Sequence, residues 1–149
     1  MTVSSTRARS GPYAGDGATA AFPIDFVFFD PDDVDVFQRS ADGAETRRAR
    51  GADYAIAGAG DPNGGVVSFT TPPAAGESVT MIRALEPVQM VDYPEGGRFP
   101  AKTHERALDR LTMLVQQIQE QLGRTAFIQV NSAAAGALPD PLRATGLSA

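Results

Sequence analysis

The feature that most constrains this chain is a run of short apolar segments between residues 19 and 93, divided by turn-forming residues. Phe22, Ile24, Phe26 and Phe28 alternate along the chain, with Pro23 near the start, where an edge position tolerates a missing N–H. After Asp30-Pro31-Asp32-Asp33, Val34 and Val36 alternate with Asp35 and Phe37. Asp42-Gly43 is a hairpin signal leading into Glu45 to Arg50. Tyr54 and Ile56 form a short strand before a glycine-rich turn at 58–65. Val66 to Thr70 follows, then the turn Pro72 to Gly76, and then Val79, Met81 and Arg83 alternate with Thr80 and Ile82. About six short strands, roughly ten residues apart, predict a small antiparallel β-sandwich or barrel.

One helix is expected after the strands, over 101–125. Leu108, Leu111, Val115, Ile118 and Leu122 recur at alternating steps of three and four, the heptad spacing of a left-handed seam. Pro100 suits the helix start, Thr103 is a candidate cap for a slightly later start, and Gly123 suits the end. Met113 and Leu114 fall off the seam and widen the apolar face at its middle. Five seam residues are too few for a stable isolated coiled coil, so the helix must pack on its own sandwich, on copies of itself, or on both. The expected organisation is a flexible arm over 1–18, a β-sandwich over 19–98, an oligomerisation helix over 99–125 and an extended tail over 126–149.

Composition narrows the chemistry. The chain has 149 residues, room for one ordinary domain. Its apolar content is padded with alanine and its ends are nearly bare of bulky residues, so the core must be modest. The absence of cysteine excludes disulfide frameworks, thiolate zinc sites and thiol nucleophiles. A single histidine, His104, excludes multi-histidine metal centres. A net charge of −5 argues against nucleic acid or an anionic membrane as partner. No apolar run is long enough to span a bilayer, and no secretory signal opens the chain.

The remaining candidate sites are weak. Asp30, Asp32, Asp33 and Asp35 offer hard oxygen ligands for calcium, but lack the glycine and glutamate of an EF-hand loop, so a turn is the better reading. Arg47, Arg48 and Arg50 read as a solvated strand face rather than a docking patch. His104 with Glu105 and Asp109 is the sole histidine–carboxylate grouping. A first-turn hydrogen bond or a polar layer of a helix interface suits it better than catalysis. No catalytic site and no cofactor or metal site is expected.

A larger pattern emerges from the motifs in order: Tyr13-Ala-Gly-Asp16-Gly17, Phe22-Pro-Ile-Asp-Phe26, Asp30-Pro-Asp-Asp-Val34, Gly51-Ala-Asp53-Tyr54, Asn63-Gly-Gly-Val66, Thr71-Pro-Pro-Ala-Ala-Gly76 and Met81-Ile82-Arg83. Val91-Asp92-Tyr93 and the segment from Phe99 through Thr103-His104-Glu105-Arg106-Ala107-Leu108-Asp109-Arg110-Leu111 close the series. Over roughly residues 10 to 125 the chain resembles the N-terminal virion-anchoring domain of tail fibres and tailspikes from short-tailed bacteriophages. The resemblance implies a trimeric, non-enzymatic module in the virion tail that attaches a receptor-binding fibre or spike.

Carried onto this sequence, the trimer seam is Leu108, Leu111, Val115, Ile118 and Leu122, closing a short trimeric helical bundle. Arg7, Arg9 and Tyr13 are the candidate contacts to tail-hub proteins, with residues 1–12 expected to be removable without unfolding. Phe127, Ile128, Val130 and Leu142 are the candidate contacts to a distal fibre or tailspike protein. A chain that stops at Ala149 is expected to be a stand-alone adaptor or a truncated fibre. A glycan-binding sandwich, with calcium at the Asp30 to Asp35 turn, is the alternative, and a glycan hydrolase a weaker third.

Overall fold

The computed structural model describes residues 6–88 and 100–124, and these form two antiparallel sheets and one helix. The strands among them are β1 (Arg9–Ala14), β2 (Ala21–Ile24), β3 (Val34–Arg39), β4 (Glu45–Arg47), β5 (Tyr54–Ala57), β6 (Gly65–Phe69) and β7 (Ser78–Arg83). The helix is α1 (Ala101–Gly123). One sheet has the order β1-β7-β3-β4 and the other β2-β6-β5. The two sheets stay open, so the architecture is a sandwich and not a closed barrel.

Alternation decides what is buried between the sheets. Val34 and Val36 of β3 and Val79 and Met81 of β7 face Phe22 and Ile24 of β2, Tyr54 of β5, and Val67 and Phe69 of β6. Phe22 and Phe69 meet edge to face with centroids 5.9 Å apart, a favoured aromatic geometry. Phe26 and Phe28 join the same core, as the alternation predicts, although the strand itself stops at Ile24. The reason is the partner: Ile24 pairs with Gly65, the first residue of β6, and beyond it the ladder has nothing to bond. Val27 and Phe29 point the other way, into a second cluster beneath the helix.

From residue 6 onward the described chain departs from the arm expected over 1–18. Arg9–Ala14 is an edge strand on β7, antiparallel, with a register shift between Ser10 and Tyr13. Gly11-Pro12, which signals a turn in sequence, sits at that irregularity, where a proline costs no ladder hydrogen bond. Ser10 is buried, and its hydroxyl accepts from the Asp25 N–H at 2.7 Å. The motif after β1 then packs on the Pro72–Gly76 turn. Gly15 N–H donates to the Glu77 carbonyl at 2.9 Å and Gly17 N–H to the Pro73 carbonyl at 2.8 Å. Asp16 closes its own turn, accepting from the Thr19 hydroxyl and from the Thr19 and Ala18 amides, which hold its pKa down to about 2.

The other turns follow their residues. Asp42-Gly43 closes the β3–β4 hairpin, with Ser40 N–H donating to the Ala44 carbonyl at 2.8 Å. β4 is shorter than expected, ending at Arg47. Helix α1 starts at Ala101, so Thr103 is not a cap; the His104 N–H donates to the Pro100 carbonyl at 3.0 Å.

Gly64 is the tightest backbone approach in the sandwich. Its φ is +96°, and a Cβ there would stand 1.9 Å from the Ile24 carbonyl oxygen. Gly64→Ala is therefore expected to lower the unfolding free energy by roughly 2 kcal/mol or more. A urea midpoint equal to that of the parent chain would contradict this account of the Asn63-Gly64-Gly65 turn.

Candidate functional site

Helix α1 is held to the sandwich by one face. Met113 is fully buried against Val27 and Leu85, with Phe29 and Leu114 packed around them. Polar contacts frame this small apolar joint. The Leu85 N–H donates to Gln117 Oε1 at 2.7 Å, and Gln117 Nε2 donates to the Leu85 carbonyl at 3.2 Å. One side-chain amide thus satisfies both backbone groups of a residue that has just left β7. Arg110 donates from Nη2 to the Glu86 carbonyl at 2.9 Å, and its Nη1 lies 3.8 Å from Asp33. The Arg106 guanidinium covers the Phe29 ring at 5.3 Å.

Arg83 completes the joint. It shares a face of β7 with Val79 and Met81, so its side chain is carried inward, where it is 2% exposed. Nη1 donates to Gln116 Oε1 at 2.8 Å and Nη2 to the Arg7 carbonyl at 3.1 Å. The guanidinium lies 5.2 Å from the Phe26 ring centroid. Burial pushes its pKa down to about 10, against the pull of the Asp33 carboxylate, and it stays charged at neutral pH. Burial pushes Asp33 up instead, opposed by the Arg110 guanidinium.

The opposite face of α1 is uncovered. Leu108, Leu111, Val115, Ile118 and Leu122 are 49–64% exposed, and among the described residues only Val88 joins them as a large apolar side chain left so open. With 3.6 residues per turn, the centre of this seam and Met113 stand roughly 180° apart around the helix axis. Single exposed apolar residues are ordinary, but a continuous stripe marks an interaction face. Half-exposed, the five side chains leave on the order of 5 kcal/mol of burial unrealised per chain.

The other sequence candidates are scattered. Arg7 Nη1 lies 3.4 Å from Asp25 Oδ2, and the Tyr13 hydroxyl donates to the same oxygen at 3.1 Å. Of the three candidate tail-hub residues, only Arg9 is exposed and makes no side-chain hydrogen bond or ion pair among the described residues. Phe127, Ile128, Val130 and Leu142, and the motif residues Val91 to Tyr93, lie outside the described residues.

The acidic cluster is drawn apart. Asp30 caps a 3-10 turn, Pro31–Asp33, accepting from the Asp32 N–H at 2.9 Å. Asp32 pairs with Arg50, Asp33 with Arg110 and Asp35 with Arg47. Among the described residues no three histidine or carboxylate side chains are grouped to hold a metal. A hollow of about 380 Å³ between Pro31 and Tyr54 is lined by these same pairs, so its arginines are already matched. Arg48 turns aside to Gln38 Oε1 at 2.9 Å.

The histidine–carboxylate grouping is spread around α1. His104 is exposed, whereas Asp109 is buried beside a hollow shared with Phe29 and Gly60. Five residues of helix turn the two roughly 140° apart. Sequence reasoning missed the polar half of the helix joint, Arg110, Gln116 and Gln117, because such residues on a helix read as solvated. One signal was present: Arg83 falls at an inward position of its strand's alternation.

Because β1 supplies a sheet edge and Arg7 supplies an acceptor for Arg83, residues 6–14 belong to the fold. Removing residues 1–14 is expected to abolish cooperative unfolding or lower the thermal midpoint by roughly 10 °C or more. A truncated chain with the full-length midpoint in circular dichroism would restore the reading of a dispensable arm.

No family model matches the chain. Over 122 residues, 82% of its length, the chain is 36% identical to the tail spike protein of Salmonella phage epsilon15. The match takes in 11% of that protein, so the chain spans only a small part of the relative's length. Among the described residues no helix is long and apolar enough to cross a membrane. By sequence, then, a sandwich with an uncovered helix seam is similar to part of a phage tail spike protein.

Proposed function

We propose that the chain is a non-catalytic structural component of a phage tail, a homotrimeric anchor that joins a receptor-binding fibre or spike to the virion. The observation that carries this reading is the opposition of the two faces of α1: one is occupied by the chain's own sandwich, the other is an exposed heptad stripe. The similarity to a tail spike protein supplies the setting. Two further copies of the chain cover the seam in a short left-handed bundle, because steps of three and four keep an apolar stripe facing its partners. Since Met113 points directly away from the seam, the three sandwiches ride outside the bundle and do not compete for it.

In this arrangement the sandwich surfaces contact the tail hub, with Arg9 the most available of the candidate residues. Phe127, Ile128, Val130 and Leu142 remain the candidate contacts to the distal fibre or spike. The carboxylates that a calcium-dependent glycan module would draw on at Asp30 to Asp35 are engaged in a turn and three arginine pairs, which favours the anchor over that alternative.

Sedimentation equilibrium of the parent chain is expected to give the trimer mass. Leu111→Asp combined with Ile118→Asp is expected to give a monomer that keeps its far-ultraviolet circular dichroism, since neither side chain touches the sandwich. The same variant is expected to be missing from assembled particles. A parent chain that stays monomeric at high concentration, or particles that take up the variant normally, would overturn the proposal.

A further inference from the structure

The buried end of Arg83 touches two parts of the chain that are otherwise far apart in sequence. Nη1 is bonded to Gln116, on the side of α1 that faces the sandwich, and Nη2 to the carbonyl of Arg7, just ahead of β1. The guanidinium is nearly dry, its Nε has no hydrogen-bond partner, the Phe26 ring lies 5.2 Å away, and the Asp33 carboxylate acts on it electrostatically. A buried cation with few acceptors cannot lose one of them without moving or drawing harder on the rest. The Arg83 N–H also donates to the Ala8 carbonyl at 2.8 Å, so backbone and side chain of one residue both hold the beginning of the chain.

We propose that Arg83 couples residues 6–8, just ahead of β1, to the docking of α1, so that a protein partner gripping those residues alters how firmly the helix is held to the sandwich. The coupling runs both ways, as any equilibrium linkage must. Loosening the Arg7 end frees Arg83 to leave Gln116; undocking the helix frees it to leave Arg7. The proposal does not depend on the oligomeric state. In a trimeric anchor, however, it would let an event at the start of the chain be felt at the helix bundle.

Amide hydrogen exchange tests it with changes made at one end and read at the other. Gln116→Leu removes the helix acceptor without touching residues 7–10, and exchange there is expected to rise roughly tenfold. A chain beginning at Ala8 lacks the Arg7 carbonyl but keeps β1, and its amides at 113–117 are expected to exchange faster by a similar factor. Gln116→Glu keeps an acceptor and is expected to restore the parent rates at residues 7–10. Amides of β2 and β6 serve as the reference and are expected to stay unchanged. If each change speeds exchange only at its own end, or raises all strands equally, the coupling through Arg83 is wrong.

Discussion

A guanidinium carried inward at the end of β7 must find acceptors, and the joint between sandwich and helix is built on that demand. Leaving a buried charge without partners costs far more than a pair contributes, so the groups around Arg83 are held by necessity. Gln116 reaches it from α1, the Arg7 carbonyl from the chain start, and the Phe26 ring covers one side. Gln117 and Arg110 extend the same polar logic to the backbone of Leu85 and Glu86. Only Met113 brings a fully buried apolar anchor from the helix. The helix is thereby fixed in rotation as well as position, because directional hydrogen bonds tolerate little twist.

Fixing the rotation is what gives the seam its meaning. An amphipathic helix docked by its apolar stripe would have turned Leu111 and Ile118 onto the sandwich. Here the docking face is largely polar and the apolar stripe points outward, an inversion of the usual surface helix. The thin, alanine-padded composition acquires a reason in the same step. The chain has apolar residues for a small sandwich core and for one stripe, and the stripe is not spent on the chain's own core.

Much of this was legible in the residues. The period-two segments became strands wherever a partner strand ran beside them, and Asp42-Gly43 turned a hairpin as expected. The heptad spacing of Leu108 to Leu122 anticipated the helix, and the five residues share an exposed face of it. β1 was not legible, because Arg-Ser-Gly-Pro-Tyr-Ala has no apolar alternation and carries two turn formers that the edge irregularity absorbs. Nor was the end of β2, since Phe26 and Phe28 keep alternating after their ladder has run out. The docking face was hidden by its chemistry: glutamine and arginine at helical spacing look like a wet surface until a buried arginine and a free strand end are set against them. The acidic run resolved in the opposite sense, from a possible cluster into four separate turn and ion-pair roles.

The central claim is that α1 holds its own sandwich with one face and sister copies with the other. The chain has no cysteine, so a single introduced one is an unambiguous probe. Val115→Cys places a thiol in the middle of the seam, and Glu120→Cys places one on the side facing the sandwich. Mild oxidation of the two variants at equal concentration is the most direct measurement. The account predicts rapid inter-chain disulfide formation for the residue 115 variant and little for the residue 120 variant. Equal, slow cross-linking of both would contradict it.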